Sequence, residues 1–191
     1  MELLGEFRQK VGIYILERKG SRSKRKVHYS NIESIKKIGI VWDASNNDEF
    51  SILTKFHNKM NEKNVKVKII GYYAGKELPN NLTAIKFFSC IRQPELDFFY
   101  KPVSSVEAAT FIKTRFDVLI DINFDKKFPL YYVSTLSTAN FKVGLWDSRT
   151  SNPIFDLMIE LKKPVRIDNY LDHVMHYLEM IKSESPEIVE K

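Results

Sequence analysis

Asp117-Val118-Leu119-Ile120-Asp121-Ile122 is the stretch that decides the fold. Its four apolar residues include three β-branched ones, and the run is too short for a helix, so it reads as a strand covered on both faces. Strands of that kind belong to parallel sheets held between helical layers. Working outward, Ile38-Gly39-Ile40-Val41-Trp42 has the same character, and Phe141-Lys142-Val143-Gly144-Leu145-Trp146 is a further strand. From Val65 to Tyr73, Lys66 and Lys68 alternate with Val65, Val67 and Ile69, which points to one exposed face or a sheet edge. Ala84 to Phe88 and Phe155 to Leu161 complete the expected set, while Leu96 to Tyr100 is too short and aromatic to assign.

Helical patterns alternate with these runs. Phe50, Leu53, Phe56 and Met60 share one face of a helix over residues 48–62. Ser104 is expected to cap a helix reaching Thr114, with Glu107 completing a capping box. Pro129 stands where a helix begins, opening Leu130 to Ser137, and an amphipathic helix spans about Asp168 to Ile181. This alternation implies an α/β fold: a single Rossmann-like three-layer domain with a mostly parallel sheet, over residues 36–185. An N-terminal amphipathic helix (1–19) and a basic linker (20–35), whose basic run over residues 18–26 is expected to be mobile, precede it. A charged tail (186–191) follows. The helix carries Leu3, Leu4, Phe7, Val11, Tyr14, Ile15 and Arg18 at intervals of three and four, an apolar stripe expected to dock on the domain or on another subunit.

The composition narrows the function classes. With 191 residues, 43% hydrophobic and 28% charged, the chain is neither fibrous, disordered nor a disulfide scaffold. One cysteine, Cys90, excludes a Cys-based zinc site, and its place at the end of an aromatic run suits a buried, inert thiol. The start of the chain lacks a basic leader and an apolar core, so a cytoplasmic location is expected. Residues 1–37 hold 10 Lys/Arg and 4 Asp/Glu, which is the whole net charge of +6; the remaining 20 Lys/Arg and 20 Asp/Glu cancel. The balanced body argues against nucleic acid as a partner, and the many Tyr and Phe read as core because the basic residues are not interleaved with them.

In an open parallel sheet, ligands sit beyond the carboxyl ends of the strands. Asp43, Asp121 and Asp147 follow three of the expected strands, and together they are candidate catalytic carboxylates around Mg²⁺. Asn46, Asn123, Ser148 and Arg149 are candidate ligand-binding residues beside them. The same residue types also serve helix caps and tight turns, which accounts for Asp43, Asn46 and Asp125 without any ligand. His173 and His176, three apart on the last helix next to Asp172, have a spacing two metal ligands can share, but no HExxH pattern surrounds them. No nucleophile elbow, P-loop or G-x-G-x-x-G occurs. The N-terminal unit offers a protein partner or homo-oligomer contact through its helix, or peripheral membrane contact through residues 1–26.

Phe116-Asp117-Val118-Leu119-Ile120-Asp121, Phe128-Pro129-Leu130-Tyr131-Tyr132 and Leu136-Ser137-Thr138-Ala139-Asn140-Phe141-Lys142-Val143-Gly144 carry a resemblance. With the N-terminal helix, the basic linker and the closing His-Tyr-Leu helix, they resemble an uncharacterised family of short Bacteroidota α/β proteins, a domain of unknown function. The same thirty residues are similar to the N-terminal half of heptosyltransferase-type glycosyltransferases. Asp43-Ala44-Ser45 stands where those enzymes have Gly-Asp, and a second, sugar-nucleotide domain is not expected in 191 residues. The resemblances imply a fold and no activity. The expected role is a non-catalytic cytoplasmic binding or assembly module. The alternative is a Mg-dependent enzyme, or a binder, of phosphorylated or nucleotide-sugar ligands.

Overall fold

The structure, a computed structural model, describes residues 2–20, 25–29, 31–45, 49–83, 85–146 and 154–181. Its elements in chain order are α1 (Glu2–Gly20), β1 (Lys37–Asp43), α2 (Phe50–Glu62), β2 (Lys66–Tyr73), β3 (Phe88–Arg92) and α3 (Val106–Lys113). There follow β4 (Val118–Ile122), α4 (Phe128–Leu136), β5 (Phe141–Leu145), β6 (Leu157–Ile159) and α5 (Ile167–Met180). All six strands are parallel, in the order β3-β2-β1-β4-β5-β6. The fold is therefore an α/β three-layer fold entered through a helix.

Side-chain alternation builds two cores. Ile38, Ile40 and Trp42 of β1, Val118, Ile120 and Ile122 of β4, and Phe141 and Val143 of β5 share one face with Leu53, Phe56 and Met60 of α2. Ile167, Tyr170, Leu171, Val174 and Leu178 of α5 cover the same face. Val41, Ile70, Ile91 and Leu119 point the other way, onto Ala108 and Phe111 of α3 and Leu130 and Val133 of α4. Each such aliphatic or aromatic chain contributes about 1.5–3 kcal/mol over exposure.

Several boundaries shift from the sequence reading. The third strand is Phe88–Arg92, against the expected Ala84 to Phe88, and Phe87 and Phe88 both set their rings against Phe50. The cap of α3 is Ser105, whose hydroxyl accepts from the Ala108 amide at 3.3 Å; Ser104 is exposed and lies outside the helix. The last strand shrinks to three residues.

The N-terminal unit departs further. Residues 25–29 form a strap on the amino edge of the sheet. The Arg25 guanidinium donates to the carbonyls of Ala139 and Asn140 at 3.2 and 3.0 Å and pairs with Asp156 at 2.6 Å. Tyr29 sets its ring at a tilt against Phe141, 5.0 Å between centres, and donates its hydroxyl to the Leu178 carbonyl at 2.6 Å. At Arg25 the end of the basic run expected to be mobile is anchored; residues 21–24 lie outside the described residues. Helix α1 lies outside α4, and it docks through a face the sequence did not single out. Leu16 is buried against Phe128 and Tyr132, with Ile13 and Tyr100 beside them. At Gly12 the backbones meet: a Cβ there would stand 2.6 Å from the Phe99 carbonyl and 3.0 Å from the Phe128 ring. Of the expected stripe, Leu4, Phe7 and Tyr14 stay 60–63% exposed.

Candidate functional site

Strand order reverses direction at β1 and β4, so the crevice beyond their carboxyl ends is where an open α/β sheet takes ligands. Trp42 is paired with Ile122 across these strands, and β5 runs parallel to them, so all three emerge at one edge. That edge carries the candidate residues.

Asp43 ends β1. One carboxylate oxygen accepts from the Ser45 amide at 3.0 Å, closing the turn, and the other lies 3.6 Å from the Lys127 ammonium. Asp121 is placed differently from the expectation. It lies within β4, on the Leu119 face, and is buried beneath α4. Its two oxygens accept from the Ser134 hydroxyl and, at 2.8 Å, from the Asn123 amide. Burial raises its pKa to about 6 although both bonds and nearby Lys142 favour the carboxylate. Asp43 and Asp121 thus sit on neighbouring strands, each occupied by internal partners. Among the described residues, no group of three or more His, Cys, Asp or Glu has a metal-holding arrangement. Asn46, Asp147, Ser148 and Arg149 lie outside the described residues.

Asn123 is a turn-former. Its side chain accepts from the Lys127 amide at 2.8 Å and donates to the Lys127 carbonyl at 2.9 Å. Both bonds fasten the start of α4, where Pro129 has no amide to offer. His173 is half-buried and His176 exposed, both near the Tyr177 ring. Cys90 is buried, and desolvation lifts its thiol to about 12, which makes it inert as a nucleophile.

Two features escaped the sequence reading. One is Lys142, 2% exposed, whose ammonium donates to the Ser134 and Thr135 carbonyls at 2.6 and 3.0 Å. A lysine flanked by apolar residues in a strand covered on both faces has to be buried, and that was the available signal. The other is an open cleft of about 440 Å³ on the α4 side of the carboxyl edge. Gly5 and Gln9 of α1 form one wall, and Tyr72, Leu96, Tyr100 and residues 125–129 form the rest. It needed contacts between segments ninety residues apart, which no local pattern encodes. On the opposite side of the edge, the indole N–H of Trp42 and the hydroxyl of Tyr170 are buried without a hydrogen-bond partner.

Residues 8–181 match the model of a family of unknown function (DUF6913), and the chain belongs to that family. No match is found among the curated proteins.

Proposed function

We propose that this DUF6913 member is a non-catalytic binding module that holds a small ligand at the carboxyl edge of its sheet. The observation that carries the reading is how the carboxylates are used. Asp43 closes a turn and pairs with Lys127, and Asp121 is sealed under α4, while the neighbouring cleft is open and of ligand size. Metal-assisted chemistry on phosphorylated or nucleotide-sugar substrates needs carboxylate oxygens free to face solvent. Among the described candidates, those of Asp43 and Asp121 are engaged within the fold. The local likeness to heptosyltransferase-type enzymes falls on β4, α4 and β5 and supports a shared scaffold. A cytoplasmic location belongs to the reading, supported by a lone buried thiol, as does a source within the Bacteroidota.

A thermal-shift screen of the full chain against Mg²⁺, nucleotides, sugar phosphates and a diverse small-molecule set tests it. A ligand at 100 times its Kd adds about 2.7 kcal/mol. No shift across the whole set overturns the binding reading, and a shift with Mg²⁺ alone restores the metal-dependent one.

An assembly role has its own support in the exposed Leu4, Phe7 and Tyr14 of α1. The occupant this face fits is a second copy of the chain. In the sequence, acidic residues lead into this stretch and basic ones follow it, so an antiparallel pairing brings opposite charges together. Sedimentation should show a dimer that Phe7→Ser disperses. A monomer at high concentration ends this reading, and co-sedimentation with anionic vesicles would reassign the face to a lipid surface.

A further inference from the structure

The cleft beneath α1 is built from parts that are held in place before any ligand arrives. Tyr100 and Lys126 both line it, and both adopt left-handed backbone conformations, with φ of 60° and 55°. Such φ values are uncommon outside glycine and persist where the surroundings enforce them. Two side chains do the enforcing. Asp97 accepts at 2.9 Å from the amides of both Phe99 and Lys101, and its carbonyl accepts from the Tyr100 amide at 2.9 Å. Asn123 brackets Lys127 as described, and its carbonyl accepts from the Lys126 amide at 3.0 Å. The turns that carry an aromatic ring and two ammonium groups are therefore rigid.

The lining chemistry is specific. Tyr72 and Tyr100 supply half-buried ring surfaces above the buried Phe128, Gln9 supplies an amide, and Lys126 and Lys127 supply positive charge. Asp125 is the acidic member of the lining, and Asp43 lies behind Lys127. The Arg8 guanidinium is held nearby by internal partners: it donates to the Phe98 carbonyl at 2.6 Å and lies over the Phe98 and Tyr100 rings at 4.1 and 4.6 Å. The start of α4 contributes little, because the Lys127 amide is taken and Pro129 has none. An anion here is thus held by solvent-facing ammonium groups, which are weak on their own. The rings must supply the rest.

We infer that the cleft takes a flat ring bearing one anionic group, of the size of a nucleoside monophosphate. This rests on the binding reading and names the ligand class for it. Adenosine 5′-monophosphate, adenosine and inorganic phosphate separate the contributions. In an NMR titration of the full chain, the monophosphate should shift the amides of Tyr72, Leu96, Tyr100, Lys126 and Phe128. Its affinity should exceed that of either fragment by about tenfold or more, the gain expected from joining two weak contacts. Tyr100→Gly and Lys126→Gly each remove one contact while keeping a residue that accepts the left-handed conformation. Both should remain folded by circular dichroism and bind the monophosphate at least about tenfold more weakly. Adenosine binding as tightly as the monophosphate, or variants with unchanged affinity, overturns the class and leaves a binding module of another kind. Silence of these amides toward all three probes also overturns the class. The binding reading itself falls only if the diverse screen is silent as well.

Discussion

Asp121 and Lys142 meet the same residue from opposite ends: the carboxylate receives the hydroxyl of Ser134, and the ammonium donates to its carbonyl. Leu119 is paired with Lys142 across β4 and β5, so both charged chains rise on one face of the sheet into the underside of α4. Helix carbonyls near a C-terminus are the negative end of the helix dipole, which suits an ammonium. The Asp121 carboxylate in the same apolar layer has its two hydrogen bonds and nearby Lys142 to stabilise it, and burial outweighs them.

The pH dependence of stability follows. Burial holds Asp121 at about 6, above its unfolded value of about 3.9. Its stabilising contribution is complete below about pH 3.9 and is lost as pH rises through 6. Burial depresses Lys142 to about 7, with Arg25 acting in the same direction, against about 10.4 unfolded. Its contribution is complete above about pH 10.4 and is lost as pH falls through 7. Urea melts should show the wild type losing stability relative to Asp121→Asn between about pH 4 and 6.5, and gaining relative to Lys142→Met from about pH 7 to 10. Flat difference curves would falsify this.

Ser134→Ala strips the bridging hydroxyl and leaves an Asp121 oxygen buried without its donor. The expected loss is about 2 kcal/mol, roughly 4–8 °C in Tm for a chain of this size. Calorimetry at neutral pH reads it, and a fall below about 1 °C would mean that the hydroxyl contributes nothing net.

Gly12→Val places a side chain where the Phe99 carbonyl and Phe128 ring already stand. Helix α1 should lift away while the sheet keeps its packing. Trypsin would then cleave after Arg8, Lys10 and Arg18 faster than in the wild type, with the far-UV spectrum changed only by the loss of one helix. Unchanged cleavage rates would show that the contact yields without cost.

Arg25→Lys keeps the charge and loses the fork that spans two carbonyls and Asp156. A loss of about 1–3 kcal/mol is expected, close to that of Arg25→Ala. If lysine restores wild-type stability, the strap depends on charge alone.

The sheet was legible because its central strands are covered on both faces, and Ile38 to Trp42 or Val118 to Ile122 can satisfy that only with uninterrupted apolar runs. Edge strand β3 is less legible because only one flank of it is paired, so Ser89 and Arg92 are tolerated and only its first residue, Phe88, belongs to the aromatic run. Asp121 is expected beyond its strand, yet it lies within it. The period of two, applied from Leu119, would have turned it toward α4. The docking face of α1 was hidden for a different reason. Hydrophobic periodicity finds faces that bury side chains, whereas Gly12 makes its contact by having none. The strap at Arg25 depends on partners 114 to 131 residues away, beyond any local signal.

Because Gly5 and Gln9 furnish one side of the cleft, the pocket is complete only in molecules whose first helix is seated. An apparent dissociation constant is then the intrinsic one divided by the seated fraction. Removing or loosening that helix should look, in any titration, like a poorer ligand. Conversely, an occupied pocket should protect the backbone amides of residues 5–16 from exchange with solvent, so that a small molecule at one rim of the sheet governs how firmly a distant stretch of chain is clasped.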